Sequence, residues 1–134
     1  MGPNWQCTVD TARIIHEIDH SPLNRGLKGI DWVNTPGNVA LFHGDDLALF
    51  DYTAPGRYEG HFFFVSRGKE AVEVAKILTQ RMFDEFDALL IIGYVPVINP
   101  KARVIARMAG YHYAGLKQTV HGPVYVYLIA PETH

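Results

Sequence analysis

The chain carries a single cysteine, Cys7, in 134 residues. A lone thiol closes no internal disulfide, so the fold is held without a covalent staple, which suits a reducing compartment. A basic field is also missing: the formal net charge is −2 and the isoelectric point about 6.4. Recognition of nucleic acid or an anionic membrane through a broad positive surface is thereby disfavoured. Apolar runs such as residues 88–92 fall far short of the roughly 20 residues of a spanning helix. Residues 1–5 lack the basic and apolar regions of a secretory leader. The expected location is cytoplasmic, with neither nucleic acid nor membrane as partner. Internal repeats and low-complexity segments are absent too, which excludes solenoids and linkers.

What is present is core-forming material. Hydrophobic residues make up 48% and aromatics 12% of the chain, enough for a packed interior in one domain at a length too short for two. Residues 1–134 are therefore expected to form one domain, with a helix and loop over 1–38 and a sheet-and-helix core over 39–129. Charge is divided unevenly. Residues 1–65 hold four Lys/Arg and eight Asp/Glu, and residues 66–134 hold eight and six.

Hydrophobic spacing predicts the elements in turn. Residues 8–19 read as a helix capped by Thr8 or Asp10 and stopped by Pro22, with Ile14, Ile15 and Ile18 on one face. Residues 21–38 are rich in Gly and Pro and read as mostly loop, anchored by Trp32. Strands are predicted over 39–43, 47–52 and 57–65 in an antiparallel meander, the third central and covered on both faces. Ala71, Ala75, Leu78, Met82 and Phe86 recur at three and four and predict a helix over 69–86. A buried strand over 88–95 ends at Pro96. Asn99-Pro100 opens a second helix with Asn as N-cap, its inner face Ala102, Ile105, Ala106 and Ala109 and its stop Gly110. Residues 111–116 and 124–129 alternate as two last strands joined by a polar loop.

Two motifs carry chemistry. His16-Glu17-Ile18-Asp19-His20 matches the zinc-protease pattern His-Glu-x-x-His. At about 100° per residue, however, the histidines fall roughly 200° and 240° around the helix from Ile14, away from the isoleucine stripe. Pro22 follows at once, and no other histidine has ligand spacing, so no metal site is expected. The second motif is the strand-to-helix junction Val65-Ser66-Arg67-Gly68-Lys69-Glu70-Ala71-Val72. Free N–H groups and the positive end of a helix dipole meet there, and anions bind such junctions.

The element order, Arg67-Gly68-Lys69, and the segment Asn99-x-x-Ala102-x-x-Ile105-x-x-x-x-Gly110-Tyr111 resemble the GNAT superfamily of acyl-CoA-dependent N-acetyltransferases over residues 39–129. The run Tyr58-Glu59-Gly60-His61-Phe62-Phe63-Phe64 with Ser66-Arg67-Gly68 looks closest to GNAT-like proteins of tailed phages and prophages. The resemblance implies an α/β (α+β) single-domain fold, with a mixed, mostly antiparallel sheet, splayed middle strands and flanking helices. It implies acetyl-CoA between the strands 57–65 and 88–95. Phe64 and Val65 would pair with it by backbone, Arg67, Gly68 and Lys69 would hold its pyrophosphate, and Asn99 would lie near the pantetheine. Glu59 and His61, at period-two spacing, share a strand face and are candidate bases for an amine.

Three positions depart from the family's pattern. Glu70 and Val72 stand where the loop has small residues that let backbone approach phosphate. Ala106 stands at the usual tyrosine acid, with Tyr94, Tyr113, Tyr125 and Tyr127 as replacements. Two functions follow from the sequence. One is an acetyltransferase for a small amine or a protein amine. The other is an inactive GNAT-fold assembly protein of a phage virion, with protein partners in that particle.

Overall fold

The computed structural model describes residues 8–21 and 27–131. The expectations placed on residues 1–5, Cys7, Pro22 and the Thr8 side chain lie outside what is described. The elements are α1 (Thr8–Asp19), α2 (Gly29–Val33), β1 (Val39–His43), β2 (Asp46–Ala54), β3 (Arg57–Phe63), α3 (Gly68–Glu85), β4 (Leu90–Pro96), α4 (Pro100–Met108), β5 (His112–Thr119) and β6 (Gly122–Ile129). The strands form one six-stranded sheet in the order β1-β2-β3-β4-β6-β5. Strands β3 and β4 are parallel, with α3 as the crossover between them, and the other four pairings are antiparallel. This is a single α+β domain with a mixed sheet and flanking helices.

Alternation along the strands sorts the core onto two faces. Ala48 and Phe50 of β2 join Tyr58, Ile91 and Tyr127 against Leu78 and Met82 of α3 and Ala106 of α4. The intervening Leu47 and Leu49 join Ala40 against Ile14, Ile18, Trp32 and Val33. The periodic residues of α3 thus do what their spacing predicts: Ala75, Leu78 and Met82 are fully buried. Removing a side chain such as Leu78 would cost roughly 2–5 kcal/mol.

The expected loop over 21–38 needs correction, because it contains α2. The cause is tertiary rather than local. A Cβ on Gly29 would lie 2.6 Å from the Ile15 Cα, so only glycine lets the start of α2 meet α1 at backbone contact. The Gly29 amide donates to the Asp19 carboxylate at 2.7 Å, which fixes the angle at which Trp32 enters the core.

Strand limits also move. β3 ends at Phe63 rather than residue 65, because the Val65 and Ser66 amides turn away to donate to Asp46. It is not covered on both faces: residues 59–63 are half-buried, and beyond Gly60 β3 no longer pairs with β4. β4 starts at Leu90, after Asp87 adopts φ 55°; the Leu89 and Leu90 amides bond the Gly56 carbonyl. Tyr111 precedes β5 and is buried, its hydroxyl 2.8 Å from that of Thr79. β5 and β6 extend into a tight turn at Val120 and His121 in place of the expected longer loop. Thr119 Oγ1 closes it, donating to the Gly122 carbonyl at 2.6 Å and accepting from the His121 amide at 3.2 Å.

Candidate active site

The sheet opens in its middle. β3 and β4 pair from Arg57↔Leu90 to Gly60↔Gly93 and no further, although β3 runs to Phe63 and β4 to Pro96. A Cβ on Gly93 would meet nothing within 4 Å, so the space beside the parting is open. A cleft of about 260 Å³ lies there, lined by Gly60, Phe62, Gly93, Asn99, Ala106 and Tyr127 among others. A second cavity of about 440 Å³ lies toward α1 and α2, lined by Trp32, Leu49, Asp51, Glu59 and Val124 among others. Ser21, His61, Phe63 and Tyr94 line both. The parting is therefore where one face of the sheet communicates with the other.

Glu59 and His61 do share a face, and the fold adds Asp51 to them. Asp51 and Glu59 are directly opposite in the β2–β3 register. Asp51 Oδ1 accepts from the Trp32 indole N–H at 2.5 Å, and its Oδ2 lies 2.9 Å from His61 Nε2. The ligand atoms of Asp51, Glu59 and His61 all lie within 4.8 Å of one another. Two carboxylates directly across a strand pair cost roughly 0.2–1 kcal/mol in repulsion. No Lys or Arg is among the described residues lining the larger cavity to offset it. With Asp51 ionised, the hydrogen bond places the imidazole hydrogen on Nε2 and leaves the Nδ1 lone pair available to take a proton. Sequence reasoning missed Asp51. Its only local signal is an acid inside a strand, where Asp is depleted.

At the junction after β3, Arg67, Gly68, Lys69 and Glu70 are exposed. Gly68 has φ 59° at the first residue of α3, a conformation glycine adopts without strain. Arg67 and Lys69 form no ion pair with a described residue. The junction is braced from below by Asp46, which is 2% exposed. Burial alone would push this carboxyl up. Hydrogen bonds from the Ser66 hydroxyl and the Ser66 and Val65 amides, with His43 nearby, outweigh burial and hold it below the ordinary carboxylate value. The Val65 amide is thus already engaged, while Phe64 stacks on Phe62 with ring centres 4.9 Å apart. Val72 is 8% exposed, its side chain in the core rather than against the loop. Glu70 is the departure that faces solvent at the helix start, 3.2 Å from Ser66 Oγ.

Asn99 caps α4, its Oδ1 accepting from the Ala102 amide at 3.1 Å, and its side chain also borders the cleft. Of the four tyrosines, Tyr94 lines both cavities and Tyr127 lines the cleft. The Tyr127 hydroxyl accepts from Arg103 Nε at 2.7 Å, and the same guanidinium sits 3.9 Å over Tyr125. Tyr113 and Tyr125 line neither space. His16 and His20 are exposed, with ring centres 4.2 Å apart and His20 Nδ1 donating to the His16 carbonyl. Neither belongs to the Asp51, Glu59 and His61 group.

The parted sheet, with helices on both faces, is the GNAT fold. Solved structures similar to this chain include the aminoglycoside acetyltransferase AAC(6')-Ib in complex with ribostamycin and coenzyme A (16% identity, TM-score 0.59), matching 69% of this chain and 62% of that one. Spermidine N-acetyltransferase from Vibrio cholerae in complex with CoA and spermine has 17% identity and a TM-score of 0.59 over 66% of this chain and 59% of its own. A chimera of the Vibrio cholerae spermidine N-acetyltransferase SpeG with hSSAT has 12% identity and a TM-score of 0.71, over 95% and 93% of the two chains. At these identities the likeness defines the fold. No family model matches the sequence, and no curated protein matches it. No helix among the described residues is long and apolar enough to cross a membrane.

Proposed function

We propose that the chain is an acyl-CoA-dependent N-acyltransferase whose acceptor is an amine held in the larger cavity. One observation carries the reading. The parting at Gly60 and Gly93 joins a cleft beside α4 to a cavity whose polar wall is Asp51, Glu59 and His61. Similar structures contain coenzyme A together with spermine or an aminoglycoside, which supports a CoA-type cosubstrate and a small amine for this chain.

The residues present fit such a cosubstrate in two places. The cleft opens onto backbone at Gly60 and Gly93, and the start of α3 offers the amides of Gly68, Lys69 and Glu70, which lack helical partners by construction. Arg67 and Lys69 add positive charge beside them, Asn99 lines the cleft, and Phe64 stacks on Phe62 of its wall. Acyl-CoA, when bound, supplies an acyl group activated as a thioester. On the acceptor side Glu59 draws an ammonium group. His61 takes its proton at Nδ1, and Asp51 orients the ring and stabilises the imidazolium that forms, a division of labour worth about 10²–10⁴ in rate. Tyr94, which borders both spaces, is the best-placed phenol to return a proton to the departing side.

A second reading has one observation in its favour. Glu70 places a carboxylate in the first turn of α3, where it stabilises the helix by about 0.3–1 kcal/mol and repels a bound anion. On that reading the fold has become an assembly module, such as a phage virion component, with protein partners. Calorimetry with acetyl-CoA separates the two. Cosubstrate at a hundredfold excess over Kd should raise stability by about 2.7 kcal/mol. Arg67→Ala should weaken binding and Glu70→Gly should strengthen it. Absence of binding at millimolar acetyl-CoA would refute the transferase reading.

A further inference from the structure

Asp51, Glu59 and His61 meet because two paired strands bring them together. Asp51 and Glu59 are cross-strand partners in the β2–β3 register, and His61 lies two residues further along the same face of β3. One ligand atom from each lies within 4.8 Å of the other two. Carboxylate oxygens with an imidazole nitrogen form a donor set for a borderline divalent ion, bound at about 2.0–2.2 Å. Two ligands on one such ion stand about 2.9–3.6 Å apart. Asp51 Oδ2 and His61 Nε2 are 2.9 Å apart, so this pair already spans one edge of a coordination shell. Glu59 makes no hydrogen bond or ion pair with a described residue, and its carboxylate can turn toward the pair without breaking one.

Two further features fit an ion. Asp51 keeps its second oxygen, Oδ1, on the indole N–H of Trp32, which is itself buried. Carboxylates that bind metals are commonly held this way, by a donor from outside the ligand set. All three ligands also line the cavity of about 440 Å³, so the remaining coordination positions are open to water or a small ligand. A dication there meets both carboxylates, which otherwise repel across the strand pair.

We propose that Asp51, Glu59 and His61 bind one divalent transition-metal ion of the zinc or cobalt kind, with preference over magnesium because one ligand is an imidazole. Metal and amine exclude each other at this site. An ion on His61 Nε2 moves the ring hydrogen to Nδ1, which removes the lone pair that would take the ammonium proton, and it occupies the Glu59 carboxylate as well. The ion would therefore act as an inhibitor of the transferase. Metal binding itself does not depend on that reading.

The test is binding of Co(II) and of Mg(II) to the full chain carrying His16→Ala and His20→Ala, which removes the exposed histidine pair on α1. Calorimetry gives the affinity, and the visible absorption of Co(II) reports its ligands. One Co(II) should bind per chain, at least about tenfold more tightly than Mg(II). His61→Ala and Glu59→Gln should each weaken it about tenfold or more while keeping the native circular dichroism spectrum. Melting adds a readout that structural damage would not give. Without metal, Glu59→Gln should melt above its parent, since one of two opposed acids is gone. With Co(II) at a hundredfold excess over the parent's Kd the parent gains more, and the order should reverse. No binding at millimolar Co(II), Mg(II) bound as tightly as Co(II), or an affinity unchanged by either substitution would overturn the inference. The two proposals fail differently. Co(II) binding without any acetyl-CoA binding sinks the transferase and leaves the metal site standing, and acetyl-CoA binding without Co(II) binding does the reverse.

Discussion

Replacing Asp46 tests the idea that one buried carboxylate holds the junction between β3 and α3 in shape. Its side chain accepts from the Val65 amide at 2.8 Å, the Ser66 amide at 2.9 Å and the Ser66 hydroxyl at 2.5 Å. A hydrogen bond to a charged group is worth about 1.5–3 kcal/mol, and donors left unpaired carry a desolvation penalty of similar size. The three bonds share one acceptor and do not add. Asp46→Ala is therefore expected to destabilise by about 3–4 kcal/mol, a large fraction of the 5–15 kcal/mol typical of a domain. Asp46→Asn keeps an acceptor for the amides and loses the charge, at about 1–2 kcal/mol. Urea unfolding of the three proteins at several pH values supplies the measurement. The folded carboxyl titrates below its ordinary value of 3.8, so its extra stabilisation is complete above that value and disappears as pH falls through the lower folded one. The gap between wild type and Asp46→Asn should be flat from about pH 8 to 5 and narrow below about 3.8. A cost under about 1 kcal/mol for Asp46→Ala, or a gap that widens on acidification, would refute the reasoning.

Three further outcomes are expected. Glu59→Gln removes one of two opposed carboxylates and should stabilise the protein by roughly 0.2–1 kcal/mol, about 1–4 °C in Tm by calorimetry; a lower Tm would show that Asp51 and Glu59 do not repel. Gly29→Ala drives a Cβ to 2.6 Å from the Ile15 Cα and 2.7 Å from the Ile15 carbonyl oxygen. It should cost about 2–3 kcal/mol and change Trp32 fluorescence, whereas an unchanged melt would mean that α2 is free to move aside. Asn99→Ala deletes the cap of α4 and should cost about 1 kcal/mol in chemical denaturation, with Asn99→Ser recovering most of it.

The sequence was most legible where structure is locally determined. α3 follows from its apolar spacing, and the start of α4 from Asn99-Pro100, because a helix repeats its own geometry. α2 was hidden among Gly and Pro residues because what makes it a helix is the backbone of Ile15 against Gly29, ten or more residues away. The pairing of Glu59 and His61 on one face was readable from period two alone. Asp51 was not, since it arrives by cross-strand register, which no local pattern encodes. Val72 looked like an obstacle in the loop until the turn of α3 placed it in the core. Glu70, on the outer side of that turn, keeps the meaning its charge suggested.

The parting of the sheet also divides the protein electrically. Residues 1–65, net −4, build β1, β2 and β3 and bring Asp51 and Glu59 to the larger cavity, whereas residues 66–134, net +2, begin with Arg67 and Lys69 at the start of α3. The acids of the larger cavity thus favour a cation, and the bases at the start of α3 favour an anion. In the proposed reaction the ammonium becomes a neutral amide. The product is thereby uncoupled from the field that drew the substrate in, so the chemistry itself loosens the grip of Glu59 and helps clear the cavity for the next molecule.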